Sequence, residues 1–157
     1  MATREESLAT LESLGVAAVF TDSYRTKELP ARLNIFFGPP EEFFLAPETQ
    51  VVYTHGHLVP LLDDGNFGLV IFYDPESTNI IQMDVEVPDD SRCTFTSWQQ
   101  YLAHLFIGIA ESSDDDVELA QIADIIGFQH MQRTLEFMDA DDDGDWGDRC
   151  SEFVASL

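Results

Sequence analysis

Asp139, Asp141, Asp143 and Asp145 alternate along the chain with Gly144 in sixth place, the pattern of oxygen ligands and sharp turn that a calcium loop uses. The loop also follows a helical stretch ending Leu135-Glu-Phe-Met138. Against calcium, Cys150 stands where a bidentate Glu is needed, Trp146 replaces the usual aliphatic residue, and only a short stub remains for an exit helix. No second such loop is present to pair with it, and the expectation is an ion-free acidic loop. His55-Gly-His57 places two imidazoles two residues apart, half of a zinc site if they share a strand face, with Cys93, His104 or His130 as further ligands. No spacing demands that completion, and a Gly between two histidines also reads as a turn. Glu41-Glu42 and Asp63-Asp64 are paired carboxylates of the kind a glycosidase uses, but in a chain this acidic such pairs also arise without a site. There is no Gly-x-Ser-x-Gly, no phosphate-cradling glycine loop and no zincin helix. The expectation is a non-enzymatic protein with no cofactor and no metal.

The elements that would position these residues are clearest between Val51 and Val87. Val51-Val-Tyr53, Leu58–Leu62, Phe67–Tyr73 and Ile81–Val87 read as three or four short strands separated by turn residues, forming an antiparallel meander. Ile81, Met83, Val85 and Val87 alternate with Gln82, Asp84 and Glu86, which predicts one dry and one wet face. Phe67–Tyr73 has no polar position and belongs in the middle of the sheet. Before the meander, Leu8, Leu11 and Leu14 with Gly15 as a stop predict a short amphipathic helix. A second helical turn starts at Pro30 and stops at Gly38-Pro-Pro40, while periodicity leaves Phe43-Phe44-Leu45 open between helix and strand. After Pro88-Asp-Asp-Ser91 breaks the sheet, Thr96 or Ser97 caps a helix carrying Trp98, Tyr101, Leu102, Leu105 and Phe106 on one face. Ser112–Asp116 opens a further helix from Val117 towards Met138, with its acids against the positive end of the dipole. The predicted fold is α+β: a mainly antiparallel curved sheet with flanking helices and a helical C-terminal third. It forms one domain over residues 1–157, with an Asp-rich tail from about 139.

Charge narrows the function classes. Thirty acids against seven bases give a net charge of −23, and residues 111–157 alone hold 14 acids against two arginines. Such a surface repels nucleic acid and anionic lipid and attracts basic partners with fast, salt-sensitive association; high acidity also serves solubility or salt adaptation. The opening Met1-Ala-Thr-Arg-Glu-Glu lacks the basic-then-apolar pattern of a signal peptide, and two cysteines, Cys93 and Cys150, make no disulfide framework. A cytoplasmic protein with free thiols, touching neither membrane nor nucleic acid, is the expectation.

Several short motifs carry a resemblance. Gly56-His-Leu-Val-Pro-Leu-Leu-Asp-Asp-Gly-Asn66, Phe72-Tyr-Asp74-Pro, Thr94-Phe-Thr-Ser-Trp-Gln-Gln-Tyr-Leu102 and Glu28-Leu-Pro30 resemble corresponding segments of the SUKH superfamily. That superfamily groups many bacterial toxin-immunity proteins with the fungal cell-wall-synthesis regulators. The Asn-Gly-Gly often found after the family's early helix is replaced here by Gly38-Pro-Pro40. The resemblance covers about half the chain and implies an α+β domain that binds proteins and performs no chemistry. Its implied partner is a toxin, and a basic nuclease toxin would suit the acidity of this chain. Turn logic nominates exposed acids for that contact: Asp63 and Asp64 between strands, Asp89 and Asp90 after the sheet, and Asp114, Asp115 and Asp116 at a helix start. Two further readings stay open: a calcium-responsive adaptor using the Asp139–Asp148 loop, and a small hydrolase built on paired carboxylates.

Overall fold

Four strands, β1 (Val59–Asp63), β2 (Leu69–Tyr73), β3 (Ile80–Asp84) and β4 (Cys93–Phe95), form one antiparallel sheet in sequential order. The computed structural model describes all of residues 1–157. Four helical segments of α type precede the sheet: α1 (Arg4–Ser13), α2 (Ala18–Asp22), α3 (Glu41–Leu45) and α4 (Thr49–Thr54), with a 3₁₀ helix at Pro30–Ile35 between α2 and α3. Four more follow it: α5 (Trp98–Ala110), α6 (Asp116–Ile126), α7 (Met131–Asp139) and α8 (Trp146–Ala155). The chain is α+β, with its C-terminal third helical, as its patterning predicts. No helix is long and apolar enough to cross a membrane.

The apolar run at β2 does take the middle of the sheet, paired with β1 through Val59–Tyr73 and with β3 through Ile71–Gln82. Side-chain oxygens close the turns: Asp64 Oδ1 accepts the N–H groups of Asn66 (3.1 Å) and Gly68 (3.0 Å). At the other end Asp74 accepts from the Glu76 N–H (2.9 Å) and the Ser77 hydroxyl (2.6 Å). These bonds favour the ionised form and hold the Asp74 carboxyl below the usual range. Pro60 is tolerated because β1 lies at a sheet edge, and a register shift beside it lets both Leu61 and Leu62 enter the main core.

The wet face expected for β3 is corrected at Gln82, which is buried, whereas Asp84 is half-buried and Glu86, past the strand, is exposed. Ile81, Met83 and Val85 do share a face, packed with Phe43, Leu58, Val70 and Phe72. The opposite face is covered as well: Ile80 joins the main core and Gln82 is buried. The strand ends at Asp84, so Val87 lies outside it and is exposed. Alternation reports the parity of side chains, but the helices that cover the second face come from elsewhere in the chain.

Val51-Val-Tyr53 is helical rather than extended, the second correction. β-Branched residues favour strands only weakly, and here Val51 and Val52 are exposed while the Tyr53 ring packs on Phe43 at 5.6 Å. The helix stops where His55 (φ 53°) and Gly56 (φ 76°) enter the left-handed region. The fourth strand is Cys93–Phe95 instead, too short to announce itself by alternation. The Pro30 turn is also less regular than expected, since Ala31 (φ 53°) and Arg32 (φ 56°) are left-handed inside the 3₁₀ helix.

Caps set the remaining helices. Thr3 and Glu6 form a reciprocal capping box at α1, and Ser97 accepts the Gln100 N–H at 3.2 Å to start α5. Asp115 accepts the N–H groups of Val117 (2.9 Å) and Glu118 (3.2 Å) at the head of α6. Gly127 (φ 71°) ends α6, so the single helix expected from Val117 towards Met138 is two helices. A further correction is α8, ten residues long, where only a short stub was expected for an exit helix; it begins at Trp146, inside the Asp139–Asp148 segment read as loop. It docks through Val154, and the main core runs continuously from Leu11 to that residue.

Candidate functional site

β1 ends at Asp63, and Gly38 pairs with that residue in both directions, Asp63 N–H to Gly38 O at 2.8 Å and Gly38 N–H to Asp63 O at 3.2 Å. This bridge leads Pro39 and Pro40 off the sheet edge and sets Glu41 and Glu42 on α3 in front of the strand end. Phe43, fully buried on the next position, anchors α3 by packing on Phe67 at 5.0 Å and Phe72 at 5.7 Å. Arg4 on α1 and the segment from Ser23 to Leu29 close the far wall. The result is an open cleft of about 660 Å³ into which Asp63, Glu41, Glu42, Arg4, Tyr24 and Lys27 all face.

Asp63 is the unusual member. It was expected on an exposed turn, but it is 8 % exposed and belongs to β1, so the assignment of Asp63 as a surface contact is corrected. The turn begins one residue later, at Asp64. Asp63 Oδ1 accepts the Gly65 N–H at 2.8 Å, and Oδ2 accepts from no group of the protein. Burial pushes its carboxyl up to about 6; Asp64, Glu41 and Glu42 push the same way, and the Gly65 N–H opposes them. A carboxyl in that range exchanges its proton close to neutral pH.

The rest of the cleft is organised around it. Tyr24 donates its hydroxyl to Leu61 O at 2.6 Å, and burial pushes that phenol well above its ordinary value. Arg4 pairs with Glu41, donates to Tyr24 O at 2.5 Å and lies over the Tyr24 ring at 5.0 Å. Arg25 is engaged by Glu12 (3.3 Å) and Asp22 (3.6 Å), whereas Lys27 and Glu42 have no ion pair. Sequence reasoning named the acid pairs but missed Arg4, Tyr24 and Lys27. The available signal was the placement of four of the chain's seven bases within residues 1–32.

The other nominated acids stand on separate elements. Asp64 is half-buried and spends its carboxylate on the turn. Asp89 and Asp90 are exposed in the β3–β4 connection, and Asp114, Asp115 and Asp116 are exposed before α6, with Asp115 engaged as its cap.

His55 and His57 follow the end of α4 rather than lying on a strand, and they line a second cavity of about 440 Å³ with Asp74, Asp89 and Arg92. No three His, Cys, Asp or Glu side chains converge as metal ligands. Cys93, Cys150 and His104 line a third groove, where burial pushes the Cys150 thiol up and His104 down.

The Asp-rich loop now has helices on both sides, α7 and α8, which removes one objection to a calcium site. Arg149 supplies another. Its guanidinium crosses the loop, donating to Ala140 O (3.3 Å) and Asp142 O (3.4 Å) and pairing with the Asp142 carboxylate (3.4 Å). It also lies over the Phe137 and Trp146 rings at 5.4 and 5.5 Å. A cation of the protein's own thus occupies the Asp142 side of this loop. Calorimetric titration with calcium is expected to show no micromolar site in the wild type, Asp139→Ala or Asp143→Ala. A micromolar site lost in either variant would contradict this.

Comparison with known proteins finds no matching family model, no matching curated protein and no matching solved structure.

Proposed function

We propose that the protein is a non-enzymatic, cytoplasmic binding protein of the immunity type, which recognises a basic protein such as a nuclease toxin through its acidic surface. The observation that carries this reading is the shortage of internal charge partners. Only Glu12, Asp22, Glu41 and Asp142 sit in ion pairs, out of thirty acids. Most of the remaining acids are exposed, and together they create a field that steers a cation-rich surface into contact. One further feature supports it: the resemblance of several short motifs to the SUKH superfamily, whose implied role is protein binding.

Asp89, Asp90, Asp114 and Asp116 are the favoured rim contacts, because each is exposed and none caps or closes an element through its side chain. Asp64 and Asp115 contribute charge while also holding local structure. Surface kinetics on the captured partner test this. Asp89→Ser, Asp90→Ser, Asp114→Ser and Asp116→Ser together should lower the association rate about tenfold and change the dissociation rate by less than about twofold, with binding weakening as salt rises. A loss confined to the dissociation rate, or none at all, would contradict a steering role.

A second reading has one observation behind it: Asp63, with its raised carboxyl, shares a cleft with Glu41 and Glu42, as a carboxylate-based hydrolase requires. Turnover of glycosides that disappears in Asp63→Asn would favour it over the binding role.

A further inference from the structure

The sheet has one edge closed and one open. At β1, Gly38 exchanges both backbone bonds with Asp63, and Tyr24 donates its hydroxyl to Leu61 O at 2.6 Å. β4 has β3 on one side only. Bonded pairs alternate along antiparallel strands, and the bonds from Val85 N–H to Gly68 O and from Asp74 N–H to Asn79 O fix their phase. Ile81 and Met83 bond to β2, so Ile80 and Gln82 bond to Phe95 and Cys93 of β4. The N–H and C=O of Thr94 therefore point away from the sheet. Thr94 is exposed, and no other backbone group of the fold meets them. The next outward N–H, that of Thr96, is taken by Gln100 Oε1 at 2.9 Å. An unpaired strand edge of this kind accepts a further strand.

This edge opens onto the groove of about 600 Å³ between β4, α5 and α8. Gly108 lies in the groove wall, exposed in the interior of α5, where glycine costs helix stability relative to alanine. A Cβ built on Gly108 would meet nothing within 4 Å, so packing inside the chain does not require the glycine. A bare helix backbone facing an open groove, beside an open strand edge, is what the close approach of another chain needs.

The geometry points to this groove as the seat of an extended segment of a protein partner, which adds to β4 as a further strand through Thr94 and lays alternate side chains against Ile107, Gly108 and Val154. The inference rests on the protein-binding reading and gives it a docking mode that the surface acids do not supply. Charge selects the occupant. Glu111 is the only acid of the groove wall, held by Trp146 Nε1 at 2.8 Å, and no lysine or arginine stands beside it. In residues 111–157, the part of the chain that supplies α8, acids outnumber arginines 14 to two. The segment is therefore apolar where it meets Ile107 and Val154, and it carries lysine or arginine towards Glu111. A second copy of this chain would instead bring another −23 to the same rim.

Short random peptides, displayed and selected on the full chain in about 0.3 M salt to suppress diffuse attraction, are the probe. Selected peptides should alternate apolar residues and carry a lysine or arginine. The tightest of them should shift the amides of residues 93–96 and protect the Thr94 N–H from exchange. Thr94→Pro removes the outward donor and keeps both bonded pairs of β4 with β3. It should weaken that peptide about tenfold, the loss expected when a peptide carbonyl is left unpaired. Gly108→Leu fills the groove from a helix position with open space around it. It should weaken the peptide at least as much, with a urea midpoint no lower than that of the wild type. No selected peptide, amide shifts confined elsewhere, or equal binding by wild type and both variants would overturn the inference. So would a dimer in sedimentation that Thr94→Pro dissociates, since a second copy would then hold this edge. None of these readouts needs the natural partner: a peptide seated on β4 keeps this site even if the surface acids prove to steer no basic protein.

Discussion

Asp63→Asn should stabilise the protein by about 2 kcal/mol near neutral pH and leave it unchanged near about pH 3. The folded carboxyl titrates at about 6 against an ordinary value of 3.8. Below the lower value both folded and unfolded chains carry the proton, and the site costs nothing. Between the two, the folded state holds the proton more tightly than the unfolded one, so this group makes stability fall as pH rises. Above about 6 the cost is complete, because the charge is then buried beside Asp64, Glu41 and Glu42. An amide of the same shape removes that charge and with it the pH dependence. Urea unfolding of both proteins across this pH range isolates the effect, since the other carboxylates are common to the two. A variant less stable than wild type at neutral pH, or a difference independent of pH, would show that Asp63 is not held under this strain.

Phe43→Ala should cost about 3–5 kcal/mol, the range for emptying a buried aromatic site. Phe43 is fully buried and its ring meets Tyr53, Phe67 and Phe72, so it ties α3 and α4 to the second face of the sheet. No other buried residue of α3 can take over, because Glu41 and Glu42 face the cleft. The loss should therefore appear twice, as a lower urea midpoint and as shifted amides at Glu41, Glu42 and Gly65. A cost below about 1 kcal/mol would mean that the small core repacks without it.

The parts of this fold legible in sequence were those whose signal is local. β2 was readable because its seven-residue run has no polar position, α1 because Gly15 follows its spaced leucines, and the starts of α5 and α6 because Ser97 and the Ser112–Asp116 acids stand before them; the stop of α6 at Gly127 was not read. Val51-Val-Tyr53 was misread because its helix is imposed by Phe43 and by the left-handed turn at His55, neither visible in a three-residue pattern. Gln82 was expected in water because alternation records which residues share a face and cannot show what later covers it. The candidate site was half legible. Glu41-Glu42 and Asp63-Asp64 stood out as pairs, but 20 residues of chain separate them, and only the Gly38–Asp63 bridge brings them together. The burial of Asp63 follows from that long-range pairing, which turn logic along the chain does not contain.

The most direct test of the central claim is affinity capture with the full chain from a lysate of its own organism, loaded at low salt and eluted with rising salt. The account expects a retained protein that is basic, leaves the column as salt rises, and is captured less by the variant lacking Asp89, Asp90, Asp114 and Asp116. Recovery of no basic protein at low salt, or of a partner indifferent both to salt and to those four acids, would contradict it.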